Sequence, residues 1–191
     1  FLKPDRVIIG TQDRVFKKKF EKLYSSVLSN KKIIFMDMLS AELTKYASNA
    51  MLATKISFIN EIANISDLIG ANIDLVKEGL GSDKRIGSSF INPGAGYGGS
   101  CFPKDVKALI SKASNLGYRP KILKATDSVN NSQKLIIFNK ILKRFGPDLN
   151  GLKFALWGLS FKPQTDDVRE SPSIKVARSL VKAGAKVLAF D

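Results

Sequence analysis

The chain has 191 residues, 44% hydrophobic and 25% charged, with one cysteine and no histidine. That apolar content supports a buried core and excludes disorder as the main state, no apolar run approaches the ~20 residues of a membrane helix, and the lack of histidine excludes His-based triads, His–zinc sites and imidazole acid–base chemistry. The net charge is +14, but the only lysine runs, Lys17-Lys18-Lys19 and Lys31-Lys32, have no interleaved aromatics, so an anionic small ligand or an acidic partner segment is expected rather than nucleic acid.

An apolar strand, Val7 to Gly10, opens the chain. A helix is predicted over Asp13 to Ser29, with Val15, Phe16, Phe20, Leu23, Tyr24 and Val27 at helical spacing and Lys17-Lys18-Lys19 as its solvated face. Ile33 to Met36 is a second strand, so this β-α-β start looks like the tail of an α/β domain. Ser40 is the predicted cap of a long helix, Ala41 to Ile69, closed by Gly70. At ~1.5 Å per residue it spans about 40–45 Å, a length that joins domains or forms a dimer core. A short helix follows from Ile73 to Leu80, capped by Asn72 and ended by Gly81.

Arg85 to Cys101 reads RIGSSFINPGAGYGGSC and is irregular. Pro103 then opens a helix that runs to Leu116, with Gly117 as its stop. Pro120 to Phe145 is helical, with an interruption expected near Asp127. Gly146 to Gly151 is turn-rich and marks a domain boundary. Beyond it come a strand (Lys153 to Trp157), a loop (Gly158 to Glu170), a helix opened by Ser171 and Pro172 and ended at Gly184, and a strand (Lys186 to Phe190). This second β-α-β unit lacks the G-x-G-x-x-G fingerprint after its first strand, which makes it a poor standard dinucleotide site. The chain begins on Phe1 and ends on a buried strand tipped by Asp191, where a helix should follow. It therefore reads as a piece of a longer protein, with no export signal visible. A single cysteine points to a reducing compartment, so a cytoplasmic setting is expected.

Cys101 carries the sharpest chemical signal. It follows a glycine-rich loop and precedes a helix start, where amides and the helix dipole favour a thiolate and Lys104 adds a cation. The alternative is a buried, inert cysteine. Asp105, in the first helical turn, would pair with Lys104 or orient a water beside the sulfur. The glycines would let backbone amides approach a ligand, or form a disordered surface loop. Lys45 and Asn49 share one face of the long helix with apolar Leu52 and Ile56. Such polar groups need a partner: a substrate oxygen, or a snorkelling lysine with a helix–helix hydrogen bond. Lys162 and Arg169, near the end of a strand, would hold phosphates or form surface ion pairs.

Three ordered motifs together resemble the UDP-glucose/GDP-mannose dehydrogenase family. Phe90-Ile91-Asn92-Pro93-Gly94-Ala95-Gly96-Tyr97-Gly98-Gly99-Ser100-Cys101-Phe102-Pro103-Lys104-Asp105 looks like its catalytic-cysteine motif. Ala41 to Ala50 resembles its central helix. Gly158 to Pro163 with Asp167 to Pro172 resembles the start of its UDP-binding domain. The resemblance implies an α/β fragment: residues 1–36 as the end of a Rossmann-type NAD-binding domain, 37–146 as an all-helical central domain with one long helix and the cysteine, and 150–191 as the start of a second Rossmann-like β-α-β domain for the UDP-sugar.

The same resemblance implies a two-fold oxidation of a sugar C6 alcohol to a carboxylate with NAD as cofactor. Cys101 would be the nucleophile, Lys45 and Asn49 would stabilise the C6 oxygen, and Asp105 would activate or position water. Phe90, Ile91, Asn92, Pro93, Gly94 and Gly98 would wrap the sugar nucleotide, with Phe161 and Lys162 holding it from the last unit. Arg85 would reach the substrate of a partner subunit, implying a homodimer through the long helix. Lys104 and Arg169 would face NAD, and no metal is expected. The GYGGSCFPKD form most resembles the members acting on UDP-glucose. GDP-mannose is the alternative; the UDP-N-acetylmannosamine enzymes usually read GGHC and lack PKD. The 191-residue chain alone is expected to be inactive. The rival from another class is a non-catalytic sugar-nucleotide or polyanion-binding module.

Overall fold

The computed structural model describes residues 4–25, 28 and 32–191. Two compact units divide the chain, Phe1–Ser48 and Asn49–Asp191. In the first, β1 (Val7–Gly10) and β2 (Ile33–Met36) pair in parallel, Val7 opposite Ile33 and Gly10 opposite Met36. Between them runs α1 (Arg14–Tyr24). The Asp13 carboxylate fixes its start by accepting from the amides of Val15 at 2.6 Å and Phe16 at 3.3 Å. Val27 and Ser29, at the far end of the predicted helix, lie outside the described residues, as does Lys31 of the second basic run. Lys18 and Lys19 are exposed, while the Lys17 ammonium lies 5.8 Å from the Phe35 ring centroid.

Helix α2 (Met38–Ile69) has 32 residues. It starts earlier than predicted because Asp37, not Ser40, is its cap. The Asp37 carboxylate accepts the Ser40 amide at 2.9 Å, and hydrogen bonding from Ser40 holds that carboxyl below its ordinary value.

The second unit opens within α2 and continues with α3 (Ile73–Ser82). Asn72 caps α3 as predicted, its side chain accepting the Asp74 amide at 2.9 Å. Gly81 does not end the helix. A β-carbon there would sit 3.3 Å from Ser88, so this glycine serves close packing of the following loop. α4 (Phe102–Asn115) starts at Cys101. The expected break near Asp127 is absent. Asp127 is carried inside α5 (Lys121–Gln133), accepting from Asn131 one turn on at 3.1 Å. The break falls instead at Lys134 and Leu135, before α6 (Ile136–Phe145).

Two apolar cores organise this unit. Ala50 and Ala53 of α2, Tyr97 of the glycine loop and Val106 of α4 form one, with Ile56, Phe102 and Leu123 packed against it. Polar groups tie the same helices together: Ser57 Oγ donates to the Thr126 carbonyl at 2.9 Å. Leu149, Val176, Leu180 and Ala185 form the other, backed by Phe138 and Leu142. Leu149, inside the turn-rich stretch, is fully buried. β3 (Lys153–Trp157) and β4 (Lys186–Phe190) pair in parallel around α7 (Pro172–Lys182). Among the described residues no helix is long and apolar enough to cross a membrane.

Candidate active site

The glycine-rich segment is an ordered loop, held by side-chain amides from two helices. Asn60 on α2 accepts the Gly94 amide at 2.7 Å, and Gln133 on α5 donates to the Gly94 carbonyl at 2.7 Å. Asn64 donates to Gln133 in turn, at 2.9 Å. Asn130 brackets Tyr97, accepting from its amide at 2.8 Å and donating to its carbonyl at 3.1 Å. Among the described residues, Asn60 and Asn130 are almost fully buried. Each makes the backbone contacts that a buried loop requires. The disordered-loop alternative is therefore excluded.

The end of the loop rests on the segment that leads into α7. The Gly99 amide donates to the Arg169 carbonyl at 2.7 Å. A β-carbon at Gly98 would lie 2.5 Å from the Glu170 carbonyl oxygen, and one at Gly99 2.6 Å from the Phe161 ring. Gly99 also has a φ of +82°. Only glycine satisfies both the spacing and the backbone there. This docking presents Cys101 at the N-terminus of α4 with its side chain exposed. The expectation of a buried cysteine does not hold.

Asn49 and Asp105, 56 positions apart, meet directly: Asn49 Nδ2 donates to Asp105 Oδ2 at 2.6 Å. Asp105 is fully buried one helical turn beyond Cys101, and its Oδ1 lies 3.7 Å from Lys104 Nζ. A helix–helix hydrogen bond is thus the partner that Asn49 needed. Lys45 sits one turn before Asn49 on α2, with its ammonium 4.7 Å from the Tyr46 ring centroid.

The remaining candidates are spread around the loop. Phe90 has a φ of +64° and an edge-on contact with Phe102. Asn92 is exposed and lines a cavity of about 550 Å³ beside α3. The Ile91 side chain is buried, Pro93 is half-buried, and the Gly94 backbone is already hydrogen-bonded on both sides. Arg85 is turned onto Asp83 of its own turn at 2.6 Å. Lys162 lies over Phe161, 5.4 Å from its centroid.

Arg169 forms an ion pair with Asp167 at 2.7 Å, the surface pairing that was its alternative. That guanidinium holds the Asp167 carboxyl down at about 2. Asp167 in turn raises Arg169. Tyr97 is buried, and burial followed by the nearby Asp127 charge pushes its phenol up to about 12. It stays protonated near neutral pH and is removed from acid–base chemistry there.

In the loop after β3, Asp191 accepts the amides of Leu159 at 2.7 Å and Ser160 at 2.6 Å. These two amides of the turn after β3 are thus already engaged by a carboxylate.

The sequence reading missed the clamping amides Asn60, Asn64, Asn130 and Gln133. Their signal is present: each pair is spaced by three or four positions on a helix that also carries core residues.

Residues 39–132 match the central domain of the UDP-glucose/GDP-mannose dehydrogenase family, and residues 155–191 match its UDP binding domain. The chain belongs to this family. It is 47% identical to a UDP-glucose 6-dehydrogenase of Pseudomonas aeruginosa, over all of this chain and 42% of that protein. It is 49% identical to one of Bacillus subtilis, over 98% of this chain and 42% of that protein. The solved UDP-glucose dehydrogenase of Pyrobaculum islandicum superposes with a TM-score of 0.94 at 41% identity, covering 99% of this chain and 43% of that one. The chain therefore spans less than half the length of these relatives.

Proposed function

We propose that the full-length protein oxidises the C6 alcohol of UDP-glucose to a carboxylate, with NAD as cofactor and Cys101 as nucleophile. The supporting observation is the Asn49–Asp105 hydrogen bond at 2.6 Å, which joins two of the assigned groups one helical turn from an exposed thiol. The relatives' names add the substrate.

The exposed cations Lys104 and Arg169 fit an anionic dinucleotide: Lys104 stands in the first turn of α4, and the Arg169 carbonyl receives the Gly99 amide. These two residues would hold it from this chain. When bound, NAD supplies the hydride acceptor for each of the two oxidations.

Cys101 Sγ adds as thiolate to the C6 aldehyde, giving a thiohemiacetal. Loss of a hydride from that carbon and of the hydroxyl proton to solvent leaves a thioester. Water cleaves the thioester, releasing the carboxylate and restoring the thiol. Lys45 and Asn49 stabilise negative charge on the C6 oxygen. Asp105, oriented by Asn49, holds the water and takes its proton. Phe90, Asn92 and the neighbouring loop, with Phe161 and Lys162, hold the sugar nucleotide. A single free thiol suits a reducing compartment, so the cytoplasm is the setting proposed. The domain division at residues 36–37 and 146–150 belongs to the same reading. So does a homodimer through α2, whose exposed Met51, Phe58 and Ile65 recur every seven residues. In that dimer Arg85 would leave Asp83 to reach the partner's substrate.

The test is NADH released per sugar by the full-length protein at saturating NAD. Two NADH from UDP-glucose, none from GDP-mannose or UDP-N-acetylmannosamine, and no acid from Cys101→Ser are expected. Turnover of another sugar alone corrects the substrate. Normal acid formation by Cys101→Ser removes the mechanism. No turnover of any sugar makes the binding module the better reading.

A further inference from the structure

Lys134 is an unusual lysine. It closes α5, and its side chain is 3% exposed. A buried ammonium requires a compensating charge. That charge is Glu170, whose Oε2 lies 2.9 Å from Lys134 Nζ, while the other carboxylate oxygen meets Lys107 at 3.3 Å. The Lys134 ammonium, more than Lys107, holds the Glu170 carboxyl below the usual range.

Glu170 has a φ of +55°, the left-handed region that residues with a β-carbon rarely adopt. Strained backbone of this kind persists only where its surroundings hold it. Two lysines on the side chain do so here. The strained turn directs the Glu170 carbonyl at Gly98, beside the Arg169 carbonyl that receives the Gly99 amide. The Lys134 stem also reaches the loop: a β-carbon at Gly96 would lie 3.4 Å from Lys134 Cγ. Lys134 thus touches the glycine loop with its stem and the segment under that loop with its head. Cys101 follows Gly99 by two residues.

We infer that Lys134 and Glu170 are positioning residues for Cys101: their buried ion pair holds the Glu170 turn on which Gly98 and Gly99 dock, and so fixes the thiol at the start of α4. The inference rests on Cys101 being the nucleophile, but part of its test needs no turnover.

The experiment compares full-length wild type with Lys134→Met, Lys134→Arg and Glu170→Gln. Three quantities are read: the rate of Cys101 alkylation by iodoacetamide without substrate, kcat and KM for UDP-glucose, and the thermal midpoint. Glu170 is about half-exposed and keeps Lys107, so Lys134→Met is the variant that keeps the test open if Glu170→Gln, which leaves the buried ammonium uncompensated, does not fold. Lys134→Met and Glu170→Gln should change the alkylation rate several-fold and lower kcat on the order of 10- to 100-fold, as an ångström-scale misplacement does. KM should move less than threefold, and Lys134→Arg should restore most of both rates. Alkylation and kcat at wild-type values in Lys134→Met, whatever its thermal midpoint, would make the pair merely structural and overturn the inference. An altered alkylation rate in a protein with no dehydrogenase activity would sustain the positioning role while sinking the proposed function.

Discussion

Asn49 shows how one amide serves two ends. Its Nδ2 donates to a carboxylate with no solvent exposure, so this bond supplies part of what the buried Asp105 oxygens need. Removing one partner leaves the other buried and poorly satisfied, at a cost of about 1.5–3 kcal/mol for a bond to a charged group. Asn49→Ala in the full-length protein should lower the unfolding free energy by that amount in urea denaturation at pH 7. A loss below about 0.5 kcal/mol, the range of neutral surface substitutions, would mean the bond contributes nothing. The sequence marked Asn49 and Asp105 separately, each from its own helix face or turn. Their contact was not legible, because spacing along one helix carries no information about a helix 56 positions away.

Element existence was legible because it depends on local rules: apolar period, caps and stops. α3 and α4 follow their cap and proline signals to within a residue or two. The failures fall where a particular side-chain contact, within a helix or beyond it, overrides the propensity signal. Asp127 reads as a helix interruption, but Asn131 supports it within α5. The real break is at Lys134, the residue committed to Glu170. The glycine loop makes the same point, since composition alone cannot separate a flexible loop from a tightly docked one.

Gly99 and Gly117 form a matched pair for testing that docking. Their φ values are +82° and +79°, but a β-carbon at Gly117 would meet nothing within 4 Å, whereas one at Gly99 would enter the Phe161 ring. Gly117→Ala should cost roughly 1–2 kcal/mol for the left-handed backbone alone. Gly99→Ala should cost roughly 1–3 kcal/mol more through overpacking, and it should slow Cys101 chemistry. Equal thermal shifts for the two variants would show that Phe161 does not press on the loop in solution.

At the scale of the whole molecule, the family was legible from three motifs in order, yet the chain covers less than half of its relatives' length. What it does carry is a long apolar stripe. Met51, Phe58 and Ile65 are exposed at sevenfold spacing on α2, with Leu68 and Ile69 more exposed still. Large apolar side chains left exposed along one helix fit an interaction surface. Sevenfold spacing keeps it on one side of the helix, as a seam between two helices requires. If a second copy covers it, two-fold symmetry counts each residue twice. Each covered side chain then contributes about 1.5–3 kcal/mol, so losing two of them from both protomers raises the dissociation constant by roughly four powers of ten or more. Wild type should therefore sediment as a dimer at micromolar concentration, and Phe58→Glu combined with Ile65→Glu in the full-length protein as a monomer. A variant that remains dimeric, with its circular dichroism intact, would move the interface off this stripe and with it the role given to Arg85.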